Sequence, residues 1–158
     1  MLGDVRNLAC RTCGEQHRNL LDHLSGQFDI LFSSPLGSTC PRHGAFVGVL
    51  GDRTLGGEPV QAVTLLGERA YLPTGPMRAA AILRCPVFFM AGLYRGKNHY
   101  HVVFEPVADF SSTPAAPRHL AVRSAIDRYA ALLDQYCRSD PYNWFNFHDF
   151  WRKPGAVR

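Results

Sequence analysis

The clearest pattern of apolar and polar positions lies late in the chain. Val122, Ile126, Tyr129, Leu133 and Tyr136 recur at steps of four, three, four and three residues, which keeps all five on one face of a helix. That helix is predicted from Pro117 to Arg138. Pro141 forbids its continuation, because proline lacks an amide hydrogen and clashes with the preceding turn. Upstream the pattern changes. Ala45–Leu50 (AFVGVL) and Pro86–Tyr94 (PVFFMAGLY) are apolar runs without alternation, as fully buried strands are. Val60–Gly67 (VQAVTLLG) is another strand candidate, and Phe28–Phe32 a short one. Tyr100–Val107 alternates strictly, Tyr100, Val102 and Phe104 against His101, Val103 and Glu105, which predicts a half-exposed strand. Between these runs, Thr74–Arg84 (TGPMRAAAILR) reads as a helix: Pro76 suits the first helical position and Ala79–Leu83 propagate well.

Strands separated by helices predict an α/β protein. The first 45 residues carry weaker signals. A helix over Arg11–Leu24 would place Leu20, Leu21 and Leu24 on one face, with Gly26 as its stop. The expectation is one domain over residues 1–158, with 1–45 weakly defined and the core in 46–151. No internal repeat or low-complexity segment interrupts it.

Composition narrows the class. A chain of 158 residues that is 46% hydrophobic and 19% charged is globular and long enough to bury one core. No apolar run reaches the ~18 residues of a membrane-spanning helix. Asp4 and Arg6 stand where a signal peptide needs an apolar stretch. A cytoplasmic or peripheral location is expected. The formal charge of +4 suits an anionic partner, or solubility alone. The basic residues form no run, so a nucleic-acid partner is not expected. With no secretion signal, the five cysteines are expected to be reduced thiols.

Three constellations carry candidate chemistry. Cys10-x-x-Cys13 and Cys40-x-x-His43 pair soft and imidazole ligands as zinc knuckles do. A single pair of each kind is also a common coincidence, and the expectation is no metal. His17 and Asp22 place a base and a carboxylate five residues apart. On a regular helix they lie about 140° apart around the axis, so they meet only if the segment bends. A carboxylate held on imidazole fixes its tautomer and stabilises the imidazolium formed on proton abstraction. The other reading is a polar helix surface. Third, Asp52 and Arg53 follow the buried run Phe46–Leu50, with only Gly51 between. Carboxyl ends of strands are where α/β proteins build sites, and a guanidinium grips phosphate or carboxylate with a planar fork. The alternative is a hairpin turn with solvated charges.

The chain also closes on an aromatic segment, PYNWFNFHDFW (Pro141–Trp151), in which six of eleven residues are rings and both tryptophans occur. Asn143, Asn146, His148 and Asp149 are interleaved with them. Such a segment can complete a core or sit at a membrane–water boundary.

Taken in order, GAFVGVLGDRTLGG, LLGERAYLPTGPMRAAAILRCPVFFMAGLYRG, YHVVFEPVADF and PYNWFNFHDFW resemble the lipid A biosynthesis acyltransferases. The likeness is closest to their lysophospholipid acyltransferase-like branch and covers about residues 43 to 151. It implies a mixed sheet flanked by helices, as part of a lysophospholipid acyltransferase-like fold. The implied activity is transfer of a fatty acyl group from an acyl carrier protein, or another acyl thioester, to a hydroxyl of a lipid or glycolipid. The implied place is the cytoplasmic face of the inner membrane, with no metal or organic cofactor.

By the same resemblance, Asp52 and Arg53 fall on a strand-end motif, and Thr74, Gly75 and Pro76 on a turn before a helix; these five are the expected substrate-binding residues. The aromatic tail is expected to fold back beside the site. The family's base and acid stand in a His-x-x-x-x-Asp/Glu motif. Aligned through Leu2-Gly3, Met1 stands in the histidine place and Arg6 in the acid place. The chain is therefore expected to lack an N-terminal half and to be catalytically weak. His17 and Asp22, which meet the literal spacing in another register, are the remaining catalytic candidates. Two further readings belong to other classes: a non-catalytic module that binds an acyl chain or an acyl carrier protein, and a small zinc-stabilised binding protein.

Overall fold

A computed structural model describes residues 28–34, 45–53, 57–97, 99–112, 117–147 and 150–152. Among the described residues, six strands and two helices follow one another: β1 (Phe28–Ser34), β2 (Ala45–Leu50), β3 (Val60–Leu65), β4 (Glu68–Pro73), α1 (Gly75–Leu83), β5 (Pro86–Tyr94), β6 (Tyr100–Asp109) and α2 (Arg118–Ser139). A 3-10 turn at Pro141–Asn143 follows α2. The α/β class expected from the alternation of strand and helix patterns is what the chain forms.

The main sheet has the order β2-β1-β5-β6, and β3 and β4 form a separate two-stranded hairpin. Each neighbouring pair is antiparallel. In register, Asp29 of β1 lies between Leu50 of β2 and Met90 of β5. Hence β2 and β5 run the same way, and their carboxyl ends meet at one end of the sheet. The start of β6 joins them there, since Tyr100 pairs with Tyr94.

The core follows from the two periods. On β5, every second residue, Val87, Phe89, Ala91 and Leu93, enters the main core. Met90 turns to the opposite face, against Phe88 and Val102. A strand with apolar residues on both faces is why its sequence shows no alternation. Helix α2 supplies Val122, Ile126, Tyr129 and Leu133 as buried residues, as its spacing predicts. Tyr136, the fifth, is half-buried, stacks on Phe89 with centroids 5.3 Å apart, and donates from its hydroxyl to Glu105 Oε1 at 3.1 Å. On β6 it is Val103 and Val107 that pack against this core; Tyr100 and Phe104 are exposed.

One strand escapes the reading of apolar runs. The strand expected over Val60–Gly67 forms as β3 through Leu65; the chain then turns at Leu66 and Gly67, and the unexpected strand β4 returns beside it. Leu66 (φ 54°) and Gly67 (φ 92°) both lie in the left-handed region, as a two-residue type I′ hairpin requires. Leucine rarely adopts that conformation. Here its N–H donates to Asp134 Oδ1 of α2 at 2.5 Å, so the helix holds the turn.

Candidate functional site at one end of the sheet

The carboxyl end of β2 leads straight into Gly51 and Asp52, both buried. Asp52 is only 8% exposed, and an acidic side chain at that depth needs donors. Trp144 Nε1–H donates to its Oδ2 at 3.4 Å. Cys137, on the last turn of α2, is close enough to feel the same charge. Burial first, then the carboxylates of Asp134 and Asp52, push its thiol up to about 12. It stays protonated at neutral pH and is no nucleophile. Arg53 comes next, half-buried. Its Nε is buried and has no hydrogen-bond partner among the described residues. A buried guanidinium donor left unpaired is costly, and a bound anion would satisfy it with a charge-assisted bond.

The C-terminal segment is fastened across this same end. Asn143 is buried, and its Oδ1 accepts the backbone N–H of Tyr94, the last residue of β5. Asp140 accepts from the Arg95 guanidinium. That contact first, with help from the Ser139 hydroxyl, holds the Asp140 carboxyl below the ordinary carboxylate range. Asn143 N–H closes the 3-10 turn onto Asp140 O at 3.0 Å. Trp144 then reaches Asp52 and meets Phe150 and Trp151 edge-on, at 5.0 and 6.1 Å between centroids. The segment thus bridges the end of β5 to the end of β2. Phe150 is buried, whereas Tyr142 and Phe147 are 91% and 90% exposed.

Thr74, Gly75 and Pro76 sit at the β4–α1 junction. Thr74 ties back to Pro59 O through its N–H at 3.0 Å and its hydroxyl at 3.2 Å. Its side chain does not cap the helix. No hydrogen bond or ion pair among the described residues joins Thr74 to Arg53. Of the five substrate-binding candidates, then, Asp52 and Arg53 lie together at the sheet end and the Thr74–Pro76 turn is anchored separately. His17, Asp22, Cys10, Cys13, Cys40 and His43 lie outside the described residues, as does the helix expected over Arg11–Leu24.

Sequence reasoning did not pick out Arg95, Cys137 or Asp140, and it named Asn143 only as a polar residue set between the rings. Their signal was weak but present: Asp140 and Asn143 bracket Pro141, which ends α2, so their side chains had to serve an irregular segment. Among the described residues, no cluster of His, Cys, Asp and Glu is arranged to hold a metal ion, and no helix is long and apolar enough to cross a membrane.

No curated protein and no solved structure matches the chain. The family model for bacterial lipid A biosynthesis acyltransferases matches residues 39–153, a span that takes in β2 through α2, the Asp52–Arg53 strand end and the aromatic tail bound to it. The chain therefore belongs to the bacterial lipid A biosynthesis acyltransferase family and is an acyltransferase by that membership.

Proposed function

We propose that the chain transfers a fatty acyl group from a thioester carrier, such as an acyl carrier protein, to the hydroxyl of a lipid or glycolipid acceptor. The work would be done at the cytoplasmic face of the inner membrane. Arg53 is the anion contact, binding a phosphate of the acceptor headgroup or of the carrier. The observation that supports this is the buried Nε of Arg53, which has no partner among the described residues, beside the buried Asp52. Asp52, bound by Trp144, fixes the backbone from which Arg53 projects.

The chemistry needs a base near the acceptor, because an alcohol is far too weakly acidic to ionise at neutral pH. Such help is worth ~10²–10⁴-fold in rate. In the proposed reaction His17 takes the hydroxyl proton, with Asp22 holding the imidazole. The alkoxide oxygen attacks the thioester carbonyl carbon. The carbon–sulfur bond then breaks, and the thiolate leaves to take up a proton. His17 and Asp22 precede residue 39, where the family match begins, so their role rests on residue type and spacing alone.

Acyl transfer from a labelled acyl carrier protein tests both assignments. Arg53→Ala should weaken acceptor or carrier binding about tenfold or more. Arg53→Lys should weaken it as well, since an ammonium cannot present two parallel donors. Binding indifferent to Arg53→Ala removes the anion role. Turnover abolished by His17→Ala supports the dyad, and robust turnover indifferent to it overturns the dyad. Carrier or lysolipid binding without any turnover favours the second reading, a binding module that retains the site and not the reaction.

A further inference from the structure

The tie between the C-terminal segment and β5 gathers two sets of exposed rings at one end of the molecule. The β5–β6 tip presents Tyr94 and Tyr100, both exposed, with ring centroids 5.4 Å apart. Asn143 binds the backbone of Tyr94 and Asp140 binds Arg95. These contacts hold the tail beside the tip. Its exposed rings are Tyr142, Phe145, Phe147 and Trp151, of which Phe145 and Phe147 stack at 6.3 Å. The other exposed large apolar residues are Leu50 at the end of β2, Phe104 on β6, and Ile82 and Leu120, one on each helix. A concentration of solvent-facing aromatics marks a contact surface.

Charge indicates what it contacts. Among the described residues, the tip carries Arg95 and Lys97 and the tail carries Arg152. Among the described residues, Asp140 is paired with Arg95 and Asp52 is buried with Trp144 on it; the tail sequence also contains Asp149. The Tyr and Trp rings combine an apolar body with a polar group, and such rings near cations suit the headgroup layer of an anionic bilayer. We propose that the β5–β6 tip and the Tyr142–Trp151 segment together form the face that docks on an anionic membrane. This rests on the proposed work at a membrane surface, and it names the residues that make the contact. It also sets Arg53 within the same sheet end, where a headgroup would arrive.

The chain supplies its own reporter, because its two tryptophans are Trp144 and Trp151, both in the docking segment. The full chain is mixed with phosphatidylcholine vesicles, with and without phosphatidylglycerol, and followed by flotation and tryptophan emission. Expected are partition onto the phosphatidylglycerol vesicles, a blue shift, and quenching by brominated acyl chains. Tyr142→Ser with Phe147→Ser should weaken partition about tenfold or more. Lys97→Glu should weaken it and flatten its dependence on salt. Ile82→Ser, on the exposed side of α1, should leave it unchanged. Those four side chains are exposed, so circular dichroism should match the parent protein.

Failure to partition, or partition indifferent to both the ring and the charge variants, overturns the docking face. Self-association lost in Tyr142→Ser/Phe147→Ser without vesicle binding overturns it in favour of contact with a second copy. Turnover on a soluble acceptor separates the two proposals: an active enzyme that ignores vesicles removes only this face. A vesicle binder without turnover removes only the reaction.

Discussion

At the scale of single residues, burial decides which groups can react. Cys137 looks like a candidate nucleophile by type, and its surroundings remove it from that role. Burial, and then two carboxylates, raise its thiol to about 12, and burial also raises Cys85. Thiol-directed alkylation of the native protein at pH 8 should therefore leave both unmodified, as read by peptide mass spectrometry; complete modification of Cys137 before unfolding would show that its side chain reaches solvent as a thiolate. Asp52→Asn should not restore reactivity, because desolvation is the larger cause. The sequence made Asp52 and Arg53 visible, since a charged pair just after AFVGVL has to sit at a strand end. It could not show the Trp144 contact. That hydrogen bond spans 92 positions and depends on how α2 crosses the sheet, which no local pattern encodes.

At the scale of elements, α2 was legible because its period is long and unbroken, and its energetics should follow. Leu133 is fully buried among Phe89, Tyr129 and their neighbours in the main core. Leu133→Ala should cost ~2–5 kcal/mol by denaturant titration, the transfer loss plus the cavity left behind. A cost near zero would mean that the helix does not pack as described. The β3–β4 hairpin was illegible for a definite reason. Its turn is Leu66-Gly67, with a leucine where asparagine or aspartate would announce a hairpin, so the apolar run reads straight through it. Asp134 compensates by binding the Leu66 amide while pairing with Arg138 one helical turn on. Gly67→Ala should cost about 1–2 kcal/mol. A Cβ there meets nothing within 4 Å, so the whole loss is backbone strain. An unchanged midpoint would mean that the turn has another geometry.

At the scale of the molecule, a register rather than a motif assembles the site. Since β1 runs antiparallel to both neighbours, the ends of β2 and β5 coincide, and a segment anchored to one can reach the other. The sequence announced every strand of that sheet but not its order, so the meeting of Asp52, Tyr94 and Asn143 had to await the fold. One anchor of that segment, Asp140 with Arg95, is ionic and can be titrated. The pairing lowers the Asp140 pKa in the folded chain, so the unfolded or detached state binds the proton more readily. The anchor's contribution is therefore full above the ordinary aspartate value of ~3.9. It is lost as pH falls through the lowered folded value. Because Arg95 is partly exposed, salt should weaken the same contact. Detachment would carry Trp144 and Trp151 into water. As pH falls below ~4, tryptophan emission should shift to the red before far-ultraviolet circular dichroism reports loss of α2. Arg95→Gln should show the shifted emission already at neutral pH and lack the acid step. If emission and dichroism fall together, and Arg95→Gln behaves as the parent protein, the tail is held by its ring contacts and Asn143 alone. The ionic anchor would then carry no part of the site's assembly.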